Sequence, residues 1–155
     1  MTSPRDAAEQ EAWAAYRRLQ LRVDTLVARD LERESGLSMA DYDVLAALVA
    51  MFDPDHCIRV GQLTARMNWA HSRLSRQLGR MERRGLISRE ACELDGRGDD
   101  VVLTADGRRA HDEATPAHLA SVHRHFARPL SRDQLLALTG IEESVRRERD
   151  GDSPH

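Results

Sequence analysis

The stretch from Leu63 to Leu103, LTARMNWAHSRLSRQLGRMERRGLISREACELDGRGDDVVL, decides the fold. It reads as a helix, a short turn, a second helix, and then two strands joined by a Gly-rich loop. In the second helix Leu74, Leu78 and Met81 fall at the i, i+4, i+7 spacing that buries one face. Arg73, Arg76, Gln77, Arg80 and Arg84 stand on the opposite face. Gly85 is placed to end this helix in a left-handed conformation, with Leu86 and Ile87 turning back beneath it. Two strand-like runs follow, Ile87 to Leu94 and Val101 to Leu103. The loop between them, Asp95-Gly96-Arg97-Gly98-Asp99-Asp100, is too polar to pack and carries one Arg at its tip.

A helix with one apolar and one Arg-rich face suits a DNA major groove, and an Arg on a projecting β-loop suits the adjoining minor groove. An Arg-rich helix face on its own is more often merely a solvated face. The loop tips the balance, because a core has no use for an Arg held between two glycines beside acidic residues. The combination is a winged helix-turn-helix.

Working outward from it, Val60 to Met67 forms the first helix of the pair, with Val60, Leu63 and Met67 inward. Asn68-Trp69-Ala70 is the turn, with Trp69 as a packing residue there. Cys57-Ile58-Arg59 is short enough to be a third small strand beside the wing, and Phe52 to His56, with Pro54, is a turn. Tyr42, Val44, Leu45, Leu48 and Val49 mark a buried helix that Ser38 and Asp41 start as a capping box. Before it, a helix from Asp6 to Glu34 carries Trp13, Tyr16, Leu19, Val23, Leu26, Val27 and Leu31 every three or four residues, and Gly36 ends it. That helix is longer than one small core requires.

Beyond the wing, Thr104 caps a helix running to about Ala127, in which Pro116 predicts a kink or break near Thr115. Ser131 and Gln134 form a second capping box, and Leu135, Leu138, Ile141 and Val145 give the last helix its apolar stripe. Past Arg149 the tail is polar.

The chain of 155 residues has one domain's length, and its 4% aromatic and 32% charged content predicts a mainly α protein with an aliphatic core. A net charge of −3 argues against a nucleic-acid partner only in sum. From Ile58 to Arg89 the acids nearly vanish while Arg59, Arg66, Arg73, Arg76, Arg80, Arg83, Arg84 and Arg89 cluster, and this distribution sets the local field. The chain has no Lys, so every basic contact can be bidentate. No apolar run nears membrane-spanning length and the first residues hold no signal-like segment, so a cytoplasmic protein without a membrane partner is expected. Cys57 and Cys92 give neither a disulfide framework nor a metal spacing.

RLSRQLGRMERRGLI, followed by DGRG and then Leu103-Thr104-Ala105-Asp106-Gly107, resembles the MarR family of bacterial transcriptional regulators, from Trp13 to about Arg146. In that family a D-x-R-[GS] wing and an LT-x-x-G helix start recur at this separation. The resemblance implies a mainly α fold with a small β wing: a winged helix-turn-helix flanked by N- and C-terminal dimerisation helices. As a single domain over residues 1–155, it would hold the DNA-binding lobe at about 38–103 and the dimerisation helices at about 6–34 and 104–149. It further implies a homodimer on double-stranded DNA at a pseudo-palindromic operator, usually as a repressor, released by a small aromatic or anionic effector. Operator sequence, regulated genes, effector identity and the choice between repression and activation are not written in the residues.

On this basis Ser72, Arg73, Ser75, Arg76 and Gln77 are expected at base edges, and Arg80 and Arg84 at phosphates. Arg97 is expected in the minor groove, with Asp95 orienting the wing through a nearby Arg. The chain departs from many relatives in placing Ala70-His71, where they have Ser or Arg, at the start of the recognition helix. An effector pocket in this family lies between the dimer helices and the DNA-binding lobe, where Trp13, Tyr16, Arg17 and His118 are the candidates. Peroxide sensing through a Cys early in the first helix does not carry over, since that helix has none.

His111, His118, His123 and His125 share one helix, but none of their spacings is the i, i+4 pair that zinc prefers, so no metal or cofactor is assigned. Two alternatives stand beside the regulator: a winged-helix module whose Arg face binds an acidic protein, and a metal-responsive regulator using the His cluster. No Ser/His/Asp set, P-loop or paired-carboxylate motif stands out, so no enzyme is expected.

Overall fold

A computed structural model describes residues 4–90 and 100–151. Six α-helices and three short strands follow one another as α1 (Pro4–Ser35), α2 (Met39–Met51), β1 (Ile58–Arg59), α3 (Val60–Met67), α4 (His71–Arg83), β2 (Ile87–Glu90), β3 (Asp100–Leu103), α5 (Ala105–Val122) and α6 (Arg132–Gly151). The chain divides into two compact units, Val27–Leu119 and the pair of segments Met1–Leu26 with Ala120–His155. The Val27–Leu119 unit is wider than the lobe expected at 38–103, because it takes in the last turns of α1 and most of α5.

The core belongs to the Val27–Leu119 unit. Leu31, Leu45, Leu48, Leu63, Leu74, Leu78, Met81 and Ile87 are all buried to 1% exposure or less. Each such side chain contributes about 1.5–3 kcal/mol by leaving water, which is what holds three short helices and a small sheet together. Local signals set where the helices begin and end. Gly36, at φ +71°, stops α1 by donating its N–H to the Glu32 carbonyl at 2.8 Å. Ser38 and Asp41 form the reciprocal capping box, each backbone N–H meeting the other's side-chain oxygen at 3.0 Å. Asn68, at φ +54°, turns the chain sharply between α3 and α4.

The exit from α4 explains the LT-x-x-G sequence in physical terms. Gly85, at φ +74°, lets Leu86 N–H return to the Met81 carbonyl at 3.0 Å and its own N–H to Glu82 at 2.9 Å. Thr104 then binds this turn twice: its N–H donates to the Leu86 carbonyl at 3.3 Å and its hydroxyl to the Gly85 carbonyl at 2.6 Å. The same Thr104 oxygen accepts the Gly107 N–H at 2.9 Å, which starts α5. A Cβ at Gly107 would overlap the Leu86 carbonyl oxygen and come within 2.9 Å of the carbonyl carbon, so only glycine allows α5 to begin there.

The sheet has the order β1-β3-β2, antiparallel throughout, with Ile58 opposite Val101 and Ile87 opposite Leu103. β1 is thus the third strand expected from Cys57 to Arg59. The wing strand expected to reach Leu94 is described only to Glu90, and β3 opens one residue early, at Asp100.

Two expectations are corrected. Of the kink or break expected near Thr115, the break does not occur: α5 continues through Pro116 to Val122, and a five-residue π-type turn, His123–Ala127, follows. Pro116 deprives the Asp112 carbonyl of its N–H partner in the helix, but both residues are exposed, a setting in which water can meet such a group. Cys57 is disulfide-bonded, although the sequence spacing of the cysteines gave no framework. Separation along the chain does not set distance in the fold, and Cys57 stands immediately before β1.

In the other unit, α6 starts from a capping box in which Ser131 N–H meets Gln134 Oε1 at 2.9 Å and Gln134 N–H meets Ser131 Oγ at 3.2 Å. No residue of α6 is buried. Its stripe residues Ile141 and Val145 stay 60% and 69% exposed, as does Trp13 of α1 at 63%. Among the described residues, no helix is long and apolar enough to cross a membrane.

Candidate nucleic-acid interface

α4 divides into two faces as its periodicity requires. Leu74, Leu78 and Met81 are fully buried, and they fix the roll of the helix against the core. That roll leaves Ser72, Arg73, Arg76 and Arg80 exposed and Ser75 partly so. Ala70 precedes the helix in extended conformation and supplies no side-chain cap, as the Ala70-His71 departure implies.

Gln77 departs from its expected place at a base edge. It is only 3% exposed, and its Nε2 donates to Asp41 Oδ1 at 2.7 Å. Position 77 lies one turn after Arg73 and three residues after Leu74, on the flank of the apolar stripe that meets α2. Its remaining atom, Oε1, accepts a hydrogen bond from Arg80 Nη2 at 2.6 Å. Arg84, expected at a phosphate, pairs with Asp41 Oδ2 at 2.6 Å. Burial pushes the Asp41 carboxyl up, but the Arg84 guanidinium and the Ser38 N–H outweigh it and hold the group below its ordinary range. Asp41 therefore stays ionised, as the acceptor at the centre of a four-residue polar cluster.

Arg73 is placed by an aromatic neighbour. Its guanidinium carbon lies 3.8 Å from the centre of the Trp69 ring. Trp69 also borders a shallow hollow of about 320 Å³ with Asp43, Ala46, Ala47, Arg66 and Met67. Asp95 and Arg97 of the wing lie outside the described residues, as does Cys92.

The effector candidates divide between the units. Trp13, Tyr16 and Arg17 are exposed together on α1, with the two rings 5.7 Å apart and the Arg17 guanidinium 5.9 Å from the Trp13 ring. His118 belongs to the Val27–Leu119 unit. Its ring lies 4.2 Å from that of Tyr42, which also stacks on His111 at 5.4 Å and bonds Thr115 Oγ1 at 3.1 Å. The Nδ1 atom of His118 is buried with no hydrogen-bond partner among the described residues. Burial, and then the neighbouring His111, push the His118 pKa below its ordinary value. Among the described residues no group of three or more His, Cys, Asp or Glu is arranged to hold a metal ion.

Asp41 and Trp69 were the residues sequence reasoning undervalued. Asp41 was legible only as a capping residue, and Trp69 only as packing. The spacing from Trp69 to Arg73 is i, i+4 across a helix start, which is the one signal that pointed to their contact.

The model of the MarR family matches residues 35–98. The structure is similar to that of AbsC, a MarR family transcriptional regulator from Streptomyces coelicolor, with 31% identity and a TM-score of 0.82 over 98% of this chain and 99% of that one. It is also similar to Sco3205, a MarR family transcriptional regulator from the same organism solved in complex with DNA, with 28% identity and a TM-score of 0.80 over 96% and 89% of the two chains. The PcaV transcriptional regulator of Streptomyces coelicolor shares the fold, at 24% identity and a TM-score of 0.68 over 90% and 98%. No curated protein matches the sequence. The fold and the helix-turn-helix face define a winged-helix transcriptional regulator. The chain belongs to the MarR family.

Proposed function

We propose that this regulator acts as a homodimer on a pseudo-palindromic operator, represses transcription there, and releases DNA when a small aromatic or anionic molecule binds. The observation that carries the DNA-facing part is the division of α4, with Leu74, Leu78 and Met81 at 0% exposure and Arg73, Arg76 and Arg80 projecting outward. Arg73 and Arg76, with Ser72 and Ser75, meet base edges in the major groove, where Arg reads guanine bidentately. Arg80 meets the phosphate backbone, and Arg97 enters the minor groove with Asp95 orienting the wing. Arg84 acts through Asp41, and Gln77 through Arg80. Sco3205, 28% identical, is a relative solved on DNA.

The dimer rests on the exposed apolar side chains of the Met1–Leu26 and Ala120–His155 unit, among them Trp13, Leu21, Leu136, Ile141 and Val145. Monomers seldom leave so many large apolar groups in water without a partner surface. Trp13, Tyr16 and Arg17, exposed together on α1, are proposed effector contacts, and His118 is a separate proposed contact within the Val27–Leu119 unit. A planar anion would suit the Arg17 guanidinium and the adjoining rings.

The test is selection of bound sequences from random duplexes, followed by a screen of small aromatic acids for release. Enrichment of an inverted repeat and release by a member of the screen are expected. Binding without sequence preference and with weak salt dependence would instead favour a module for acidic proteins.

A further inference from the structure

The buried cluster between α2 and α4 sets more than stability. Asp41 is 3% exposed and ionised, so both its oxygens can only accept hydrogen bonds. That forces the Gln77 amide into one orientation, with Nε2 towards Asp41 at 2.7 Å and Oε1 turned away from it. Oε1 is where Arg80 Nη2 is held, at 2.6 Å. Gln77 and Arg80 are three residues apart on one helical face, while Asp41 lies 36 residues earlier in the chain on another helix. Arg84 completes the cluster at Asp41 Oδ2, 2.6 Å away, and balances the charge of the carboxylate from the oxygen that Gln77 does not use.

We propose that Asp41 and Gln77 are positioning residues of the DNA interface: the Asp41 carboxylate fixes the Gln77 amide, and the amide oxygen aims the exposed Arg80 guanidinium at the phosphate backbone. This rests on the proposed role of Arg80 as a phosphate contact. An Arg side chain otherwise samples many rotamers, and ordering it costs binding free energy each time DNA is engaged. A fixed acceptor on its own helix removes much of that cost in advance. The α2 capping residue thereby becomes part of the recognition surface without approaching DNA.

Q77M tests the relay most cleanly, since it removes both polar atoms of the amide, keeps an unbranched side chain of similar size, and leaves the Asp41–Arg84 pair in place. D41N is the second variant, and R80A and R76A complete the set. Affinity for the selected operator is measured for single and double variants across a range of salt concentrations, below the unfolding transition of each. Q77M is expected to weaken binding about 3- to 10-fold and to make the log–log salt slope shallower by up to about 0.9 per subunit, the share of one phosphate contact. A merely structural role would lower affinity while leaving that slope unchanged. In the R80A background Q77M and D41N are expected to cost nothing further, whereas each combines multiplicatively with R76A. If the losses from Q77M and R80A multiply, the relay does not exist. If R80A alone binds like the parent, the phosphate assignment of Arg80 has failed, and the relay falls with it.

Discussion

The guanidinium carbon of Arg73 lies over the ring of Trp69, 3.8 Å from its centre. Trp69 is the second residue of the turn between α3 and α4, after Asn68 in its left-handed conformation. The turn that aligns the two helices therefore also supplies a platform for the first Arg of the recognition helix. Arg73 remains exposed beside the ring, so its N–H groups can still be offered to a guanine.

Replacement of Trp69 by Ala is expected to relax base preference at the position Arg73 contacts, while Phe at 69 keeps most of it. A cation–π contact at a partly exposed site is worth about 0.5–1 kcal/mol, so the loss is a few-fold in discrimination. Competition between operators varied at that position measures it. Equal loss for all sequences would reduce Trp69 to a packing residue.

Gly107 carries a sharper expectation. A Cβ at this position would run into the Leu86 carbonyl, and because backbone lies on both sides neither partner can swing away. Gly107→Ala should lower stability by at least about 1–3 kcal/mol, the usual range for overpacking, and disturb the Thr104 bonds that join α5 to the α4 exit. Urea unfolding of the two proteins decides this. Gly61 and Gly140 have open space at their Cβ positions and serve as controls for substitution by Ala.

Acidification should weaken the Val27–Leu119 unit through His118. Burial and His111 depress its pKa below the ordinary 6.5, so between the two values the unfolded chain binds more protons than the folded one. The stability that neutral His118 provides is complete above about pH 6.5 and is lost as pH falls through the depressed folded value. Phe at 118 keeps a ring beside Tyr42 but cannot titrate. Thermal unfolding midpoints followed from pH 8 to pH 5 should therefore fall more steeply for the parent than for His118→Phe. Parallel profiles would show that protonation of His118 carries no such linkage.

The helices, their caps and the three-strand sheet were legible because each leaves a local mark: Leu74, Leu78 and Met81 by periodicity, Ser38 with Asp41 and Ser131 with Gln134 by capping, Gly85 by its place after the last helical turn. What escaped depends on contacts between distant segments. Gln77 looks like one more polar residue on an Arg-rich face until α2 brings Asp41 within 2.7 Å of it. Arg84 was read as a surface cation for the same reason, although 43 residues separate it from the carboxylate it pairs with. Pro116 does not break α5, where it and Asp112 both stand at exposed positions that the local sequence does not record.

The distribution of Arg partners yields the last expectation. Two copies of α4 related by a two-fold axis enter successive major grooves only if their centres lie about one helical turn apart, roughly 10 base pairs. The selected operator should then be an inverted repeat of that spacing. Arg76→Ala should relax base preference at symmetric positions, at about 1–3 kcal/mol for each lost bidentate contact. Arg80→Ala should weaken all sequences alike and reduce the salt slope by about 0.9 per contact. Arg84 stood with Arg80 on sequence grounds, but its ion pair with Asp41 separates them. Arg84→Ala removes the partner that holds the Asp41 carboxyl down against burial, so its main effect should be a lower unfolding midpoint at neutral pH. The salt slope of the Arg84 variant should stay near that of the parent when binding is measured well below its unfolding transition. A slope reduced as far as that of Arg80→Ala would return Arg84 to the phosphate-contacting set.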